Sequence, residues 1–437
     1  MSLCGAARLQ ADDWPQWLGP QRDSVWREDG IISSFPPGGP PVIWRAEIGA
    51  GYSGPSVAGG RVFVLDRQMS TNAANPSDPF ARGSIPGVER VTCLDAADGK
   101  RLWRYEYECP YTMSYPAGPR TTPLVSDGKV FTLGAEGNLF CLDVTNGAVL
   151  WSRDFKKDYK ISTPLWGFAG NPLLDGNRLI CLAAGSNTTV VALDKDTGRE
   201  IWHALNAKEP GYCSPVIFDA GGVRQLIVWD PESVNSLDPE TGKVYWSSNS
   251  SAAIRAGMTI PTPSKMGDFL FLTCFYNGSW MLKLDPDTPA ASTLWKSRRI
   301  SEMNTDGLHC TLSTPFLDDG YIYGVGSYGQ LRCLNATNGE RIWDTLSATT
   351  ADGKETRWAN AFIVKNGDRF FLFNEKGDLI IARLTPKGYE ELSRAHMIDA
   401  INRDPGRLVV WSHPAFANRR VYARNDKEIV CVDLAGK

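Results

Sequence analysis

Short apolar and polar runs alternate along this chain with the two-residue period of β-strands, and turn residues interrupt them at regular intervals. One unit shows the scheme. Thr122 to Ser126 precedes the turn Asp127-Gly128, alternating Lys129 to Gly134 follows, and Asn138 to Asp143 and Ala148 to Arg153 complete four predicted strands. The last two are joined by Asp143-Val-Thr-Asn-Gly147-Ala-Val-Leu-Trp151. An Asp or Asn side chain there bonds its own backbone, and the Gly takes positive φ, so the turn is tight. The acidic residues are read as turn formers, not as calcium ligands.

That turn recurs. Asp95 to Trp103, Asp194 to Trp202, Asp238 to Trp246 and Asn335 to Trp343 repeat it, Asp285 to Trp295 is a stretched copy, and Leu384, Gly388 and Leu392 form a degenerate one. From Trp103 the spacings are 48, 51, 44, 49, 48 and 49 residues, a period that denotes propeller blades. The last unit is expected to begin with Val410 to His413 and Val421 to Arg424. It reaches its turn at Cys431-Val-Asp433 but stops at Lys437 without a tryptophan, whereas Val42-Ile-Trp44 is an outer strand without a blade. Pairing the two completes an all-β, eight-bladed β-propeller of four-stranded antiparallel blades and removes two exposed sheet edges. Residues 1–39 are expected to cap the ring and residues 40–437 to form the single propeller domain.

Composition agrees with this scheme and excludes some functions. The 437 residues are 42% hydrophobic with 15 Trp, 42 Gly and 28 Pro, which suits a turn-rich β chain with a large core. A formal net charge of -3 supplies no cation excess for nucleic acid. No apolar run approaches the roughly 18 to 20 residues needed to span a bilayer. The ten cysteines include Cys93, Cys141, Cys333 and Cys431 at one repeat position, too far apart in separate blades for disulfides, so mostly free thiols are expected. There is no Cys-x-x-Cys or His-Glu-x-x-His, and no metal site is predicted.

The repeat, small-x-Asp-x-x-x-Gly-x-x-x-Trp, resembles that of pyrroloquinoline quinone (PQQ)-like propellers. That family includes quinoprotein dehydrogenases, BamB-like outer-membrane assembly lipoproteins and other exported bacterial proteins. The likeness covers residues 40 to 437, and Asp13-Trp14-Pro-Gln-Trp17-Leu-Gly19 is similar to the segment before the first blade in such proteins. It implies that Trp103, Trp151, Trp202, Trp246 and Trp343 dock on neighbouring blades. It also implies a periplasmic or envelope location. The first residues lack an apolar signal core, and a mature chain starting near Asp12 is the expectation, whether or not Cys4 is native.

Candidate chemistry lies in the loops that leave each outer strand and cross to the next inner strand, because loops on a rigid scaffold carry function. The richest holds Tyr111, Tyr115 and Arg120; others offer Trp166, Tyr212, Arg255, His309, Arg357 with Trp358, and Trp411 with His413. Aromatic and cationic side chains in that arrangement suit a planar or anionic ligand. No nucleophile elbow, phosphate loop or dinucleotide fingerprint is present in its required context. Two readings stay open. One is a non-catalytic, monomeric propeller that binds a protein or small ligand at its upper face. The other is a PQQ-dependent alcohol or sugar dehydrogenase, for which the resemblance implies PQQ with calcium, although the adjacent cysteine pair common in those enzymes is missing.

Overall fold

The computed structural model describes residues 12–249, 254–350, 352–404 and 406–436; Cys4 lies outside them. Eight four-stranded antiparallel sheets follow one another. Blade 1 comprises Ser56–Ala58, Arg61–Met69, Gly87–Asp95 and Arg101–Glu108, and blade 2 comprises Leu124–Ser126, Lys129–Leu133, Asn138–Asp143 and Val149–Asp154. Blades 3 to 7 span residues 173–204, 216–249, 264–296, 316–345 and 361–396. The eighth takes three strands from residues 415–433 and its outer strand, Val42–Glu47, from the start of the chain, paired antiparallel with Glu428–Asp433. Its inner strand is Ala415–Ala417, later than Val410 to His413, because Trp411 and His413 belong to the loop before it.

Within each blade the second and third strands are buried and the outer strand is mostly exposed, as the alternation requires. The third strand places a small residue opposite the tryptophan: Cys93 pairs with Trp103, Cys141 with Trp151, Ala192 with Trp202 and Cys431 with Trp44. A bulge adjoins several of these pairs and twists the outer strand locally. The indole of Trp103 then meets the next blade. A Cβ on Gly147 would stand 2.5 Å from its ring, and its Nε1 donates to the Val144 carbonyl at 3.0 Å. Trp151, Trp202 and Trp295 repeat the arrangement on Gly198, Gly242 and Gly339. Trp343 keeps the hydrogen bond, to Thr385.

Trp246 departs from the expectation. Its Nε1 donates at 2.8 Å to Gln225 of its own blade, because the stretched turn after Asp285 carries Pro289 where the other turns have glycine. Blades 4 and 5 meet instead where Gly221 lies against the Thr288 carbonyl. The nine described cysteines are free and buried. Burial pushes the Cys93 thiol up to about 11.

Residues 12–32 run into the centre of the ring. Trp14 bridges to Val57 of blade 1, Pro15 accepts from Val125 of blade 2, and Ser24 accepts from Lys365 of blade 7. Arg22 donates to the carbonyls of Pro172 and Pro215 at the entries of blades 3 and 4, and Trp17 Nε1 donates to Thr262 Oγ1 at the entry of blade 5. Trp14 and Trp26 pack on Phe416 of blade 8. A segment that reaches the inner strands of seven blades occupies the axis itself.

Candidate functional site

A four-stranded antiparallel blade ends on the face where it began, so all eight connections between blades emerge on one side of the ring. They enclose a cavity of about 370 Å³. The inner strands fix its shape through one repeated position. Three residues before the proline or alanine that opens each inner strand stand Tyr52, Arg120, Ala169, Tyr212, Ile260, Leu312, Trp358 and Trp411, and all eight line the cavity. Blades 7, 8, 1 and 2 thus contribute Trp, Trp, Tyr and Arg, while Ala, Ile and Leu stand on the opposite arc.

Two residues further on is a polar belt that ties the entries together. Thr122 N donates to Asn171 Oδ1 at 2.6 Å, Asn171 N to Ser214 Oγ at 3.1 Å, and Thr262 N to Thr314 Oγ1 at 3.2 Å. His413 occupies this belt position in blade 8. Its Nδ1 lies 2.5 Å from the Pro414 carbonyl, which only accepts, so the proton sits on Nδ1 and Nε2 is left unpaired. Burial lowers its pKa to about 4, and the ring is neutral at pH 7. Trp17 packs edge-on against it at 5.0 Å and belongs to the cavity wall, so the axial segment floors the cavity.

Of the eleven candidate residues, Tyr115, Arg120, Trp166, Tyr212, Arg255, Arg357, Trp358, Trp411 and His413 line this cavity. Tyr111 and His309 do not. Tyr111 is buried under the Arg67 guanidinium at 4.0 Å, with its hydroxyl donating to buried Glu89. His309 is buried with Nδ1 donating to the Phe275 carbonyl at 3.0 Å, and burial lowers its pKa to about 4.

Charge in the cavity is positive, since no acidic side chain among the described residues lines it. The three arginines differ. Arg120 donates to the carbonyls of Ser114, Tyr115 and Gly118, holding its own loop. Arg357 is paired with Glu302 and stacks on Trp358 at 4.1 Å. Arg255 is exposed, lies 4.9 Å over the Tyr276 ring, and has no hydrogen-bonded side-chain partner among the described residues. Tyr115 sits centrally at φ +53, within 6.4 Å of the Phe80, Trp166, Trp358 and Trp411 rings. Its hydroxyl donates to Asp404; Arg407 joins Asp404 to Glu375, and Glu375 accepts from Trp411 Nε1 at 2.9 Å. That network fixes two of the cavity's rings.

Trp17, Tyr52, Phe80, Tyr276 and Phe362 are aromatic lining residues that are not among the candidates from the sequence. Tyr52 had a readable signal, because Gly51-Tyr52-Ser53 matches Gly211-Tyr212-Cys213 in phase. Phe80 and Trp17 had none, since neither lies on the repeat.

The donor set fits part of PQQ with calcium. Arginines and aromatic rings suit a planar carboxylate, but no group of three or more His, Cys, Asp or Glu among the described residues could share a metal ion. Three carboxylates around the cavity are committed, Glu302 to Arg357 and Tyr328, Glu375 to Arg407 and Trp411, and Asp404 to Tyr115 and Arg407, while Glu209, beside Tyr212 and Gly257, keeps one buried oxygen unpartnered. The lining itself offers a calcium ion no carboxylate, so of what PQQ with calcium needs it supplies the carboxylate-binding arginines and the flat rings alone.

No curated protein matches the chain significantly in sequence. BamB from Moraxella catarrhalis superposes with a TM-score of 0.52 at 16% identity, covering 85% of this chain and 98% of that one. Quinohemoprotein alcohol dehydrogenase from Comamonas testosteroni gives 0.64 at 13%, covering 99% and 82%, and a europium-containing methanol dehydrogenase gives 0.60 at 13%, covering 96% and 89%. These likenesses show the fold. The family model described as outer membrane protein assembly factor BamB matches residues 87–229 and 230–437, and the chain belongs to that family of PQQ-like propellers.

Proposed function

We propose that this propeller is a non-catalytic binding scaffold whose axial cavity takes a planar or anionic group, either a small ligand or a side chain presented by a protein. One observation carries the reading: a single repeat position delivers eight residues to the axis, and arginines with aromatic faces predominate on one arc. Guanidinium groups bind carboxylates in two-point fashion, and indole and phenol rings supply flat contact area. Cavities of this size with a few convergent polar groups are the usual anatomy of a ligand site.

A thermal-shift survey of aromatic and heterocyclic acids, repeated on Arg255→Ala, tests it. Stabilisation of the native protein that the variant loses supports the site; absence of any ligand-dependent shift counts against it. Dye reduction above background after adding PQQ and Ca²⁺ would overturn the non-catalytic reading. The family's description as an outer membrane assembly factor supports an exported, envelope location, which fractionation of cells checks.

A further inference from the structure

Residues 66–90 of blade 1 are longer than the repeat requires. Arg61–Met69 and Gly87–Asp95 form an extended hairpin, and its tip, residues 70–86, lies on the face where the cavity opens. The tip carries Phe80. Although 44% exposed, Phe80 meets Tyr115 at 5.2 Å, Trp166 at 5.8 Å and Trp358 at 6.1 Å, three rings from the loops entering blades 2, 3 and 7. A single side chain that touches loops on both sides of the axis spans the mouth.

At its base the tip is fixed by the Ile85–Tyr111 backbone bridge and by Arg67, which donates to the Ile85 carbonyl and to Asn75, whereas around Phe80 it is held by few bonds. Arg82 donates to the Thr112 and Thr163 carbonyls, Ser114 Oγ to the Phe80 carbonyl, and Tyr115 N to the Pro79 carbonyl. Most of its other side chains are exposed, so little apolar area anchors it. Below it, the cavity is floored by Trp17 and lies at the small end of the range for ligand pockets.

We propose that Phe80 is the roof of the cavity and that the site admits a compact, ring-shaped anion beneath it, so that the occupant is a small molecule and not a protein surface. This rests on the reading of the cavity as a binding site. A protein surface would need the whole mouth clear, whereas Phe80 and its three aromatic partners obstruct part of it. A compact ligand needs only a brief displacement of one ring, after which the roof buries its upper face.

The probe is 8-anilinonaphthalene-1-sulfonate, an aromatic anion that fluoresces in apolar sites, followed by stopped-flow with native protein, Phe80→Ala and Ala169→Trp. Because Phe80 makes three ring contacts that must break on entry, its truncation is expected to raise both association and dissociation rates by about tenfold. Ala169→Trp fills the cavity from its less crowded arc and should abolish the signal. Rates unchanged in Phe80→Ala, with the signal still lost in Ala169→Trp, overturn the roof and leave the binding site standing. A signal that survives Ala169→Trp, or no binding to any variant, overturns the site and the roof together.

Discussion

Trp44 lies against Gly99 so closely that a Cβ on Gly99 would stand 2.6 Å from the indole Cε3, and Trp44 Nε1 donates to the Ala96 carbonyl at 3.0 Å. An indole from the start of the chain thereby joins the eighth blade to the first. Gly99 is also at φ +75. Gly99→Ala combines overpacking with left-handed backbone strain and is expected to cost about 2 to 4 kcal/mol. Urea unfolding measures it. A loss below about 0.5 kcal/mol, the level of an ordinary surface change, would mean that closure does not depend on this contact.

The indoles of the repeat are not equivalent, and two of them separate the roles. Trp151 is 9% exposed and docks on Gly198, so Trp151→Ala should destabilise by roughly 3 to 5 kcal/mol. Trp246 is half-buried and bonded within its own blade, so Trp246→Ala should cost roughly 1 to 2 kcal/mol, chiefly the hydrogen bond and partial burial. Equal losses in the two variants would contradict the distinction.

Repetition made the fold legible. A turn that recurs every 48 residues states its own partners, and the stranded Trp44 told where the ring closes. The cavity was legible where it follows the repeat, since Arg120, Tyr212, Trp358 and Trp411 stand at a constant phase before their inner strands. Trp246 misled because its docking partner lies in the next blade's turn, where Pro289 replaces glycine. Tyr111 and His309 misled for a different reason. Both belong to polar or aromatic loops, but only tertiary packing turns Tyr111 to Glu89 and His309 to the Phe275 carbonyl. Phe80 and Trp17 reach the site from segments with no internal copy to compare.

Two buried neutral imidazoles should make stability depend on pH. His309 and His413 have native pKa values lowered to about 4 by burial, against about 6.5 in an unfolded chain. Between those values the unfolded chain binds more protons than the native one, so stability falls as pH falls from about 6.5 toward 4. From pH 7 to pH 5 each should remove about 2 kcal/mol. Urea midpoints for the native protein and His413→Asn check it. If the variant loses as much stability as the parent over that range, His413 is not the source.

Arg255 and Arg120 present the sharpest functional contrast, because both line the cavity and only one is committed to structure. Arg120 donates to three carbonyls of residues 114–118 and lies 5.2 Å from the Tyr52 ring. Removing it leaves those acceptors short of donors and loosens the loop that carries Tyr115. Arg120→Ala is therefore expected to cost about 1 to 3 kcal/mol of stability, and any loss of binding will follow from the disturbed loop. Arg255 stacks on Tyr276 at the mouth and keeps its donors free among the described residues. Arg255→Ala should leave stability within about 0.5 kcal/mol while weakening an anionic ligand by about tenfold or more, the worth of a charge-assisted contact. Arg255→Lys keeps the charge but not the fork, so partial recovery would mark charge as the main contribution and no recovery would mark two-point geometry. Thermal melts and titrations with an aromatic acid on the same samples separate these effects. Should Arg255→Ala bind as tightly as the parent, the free cation at the mouth plays no part in recognition and the ligand is not held by its charge there.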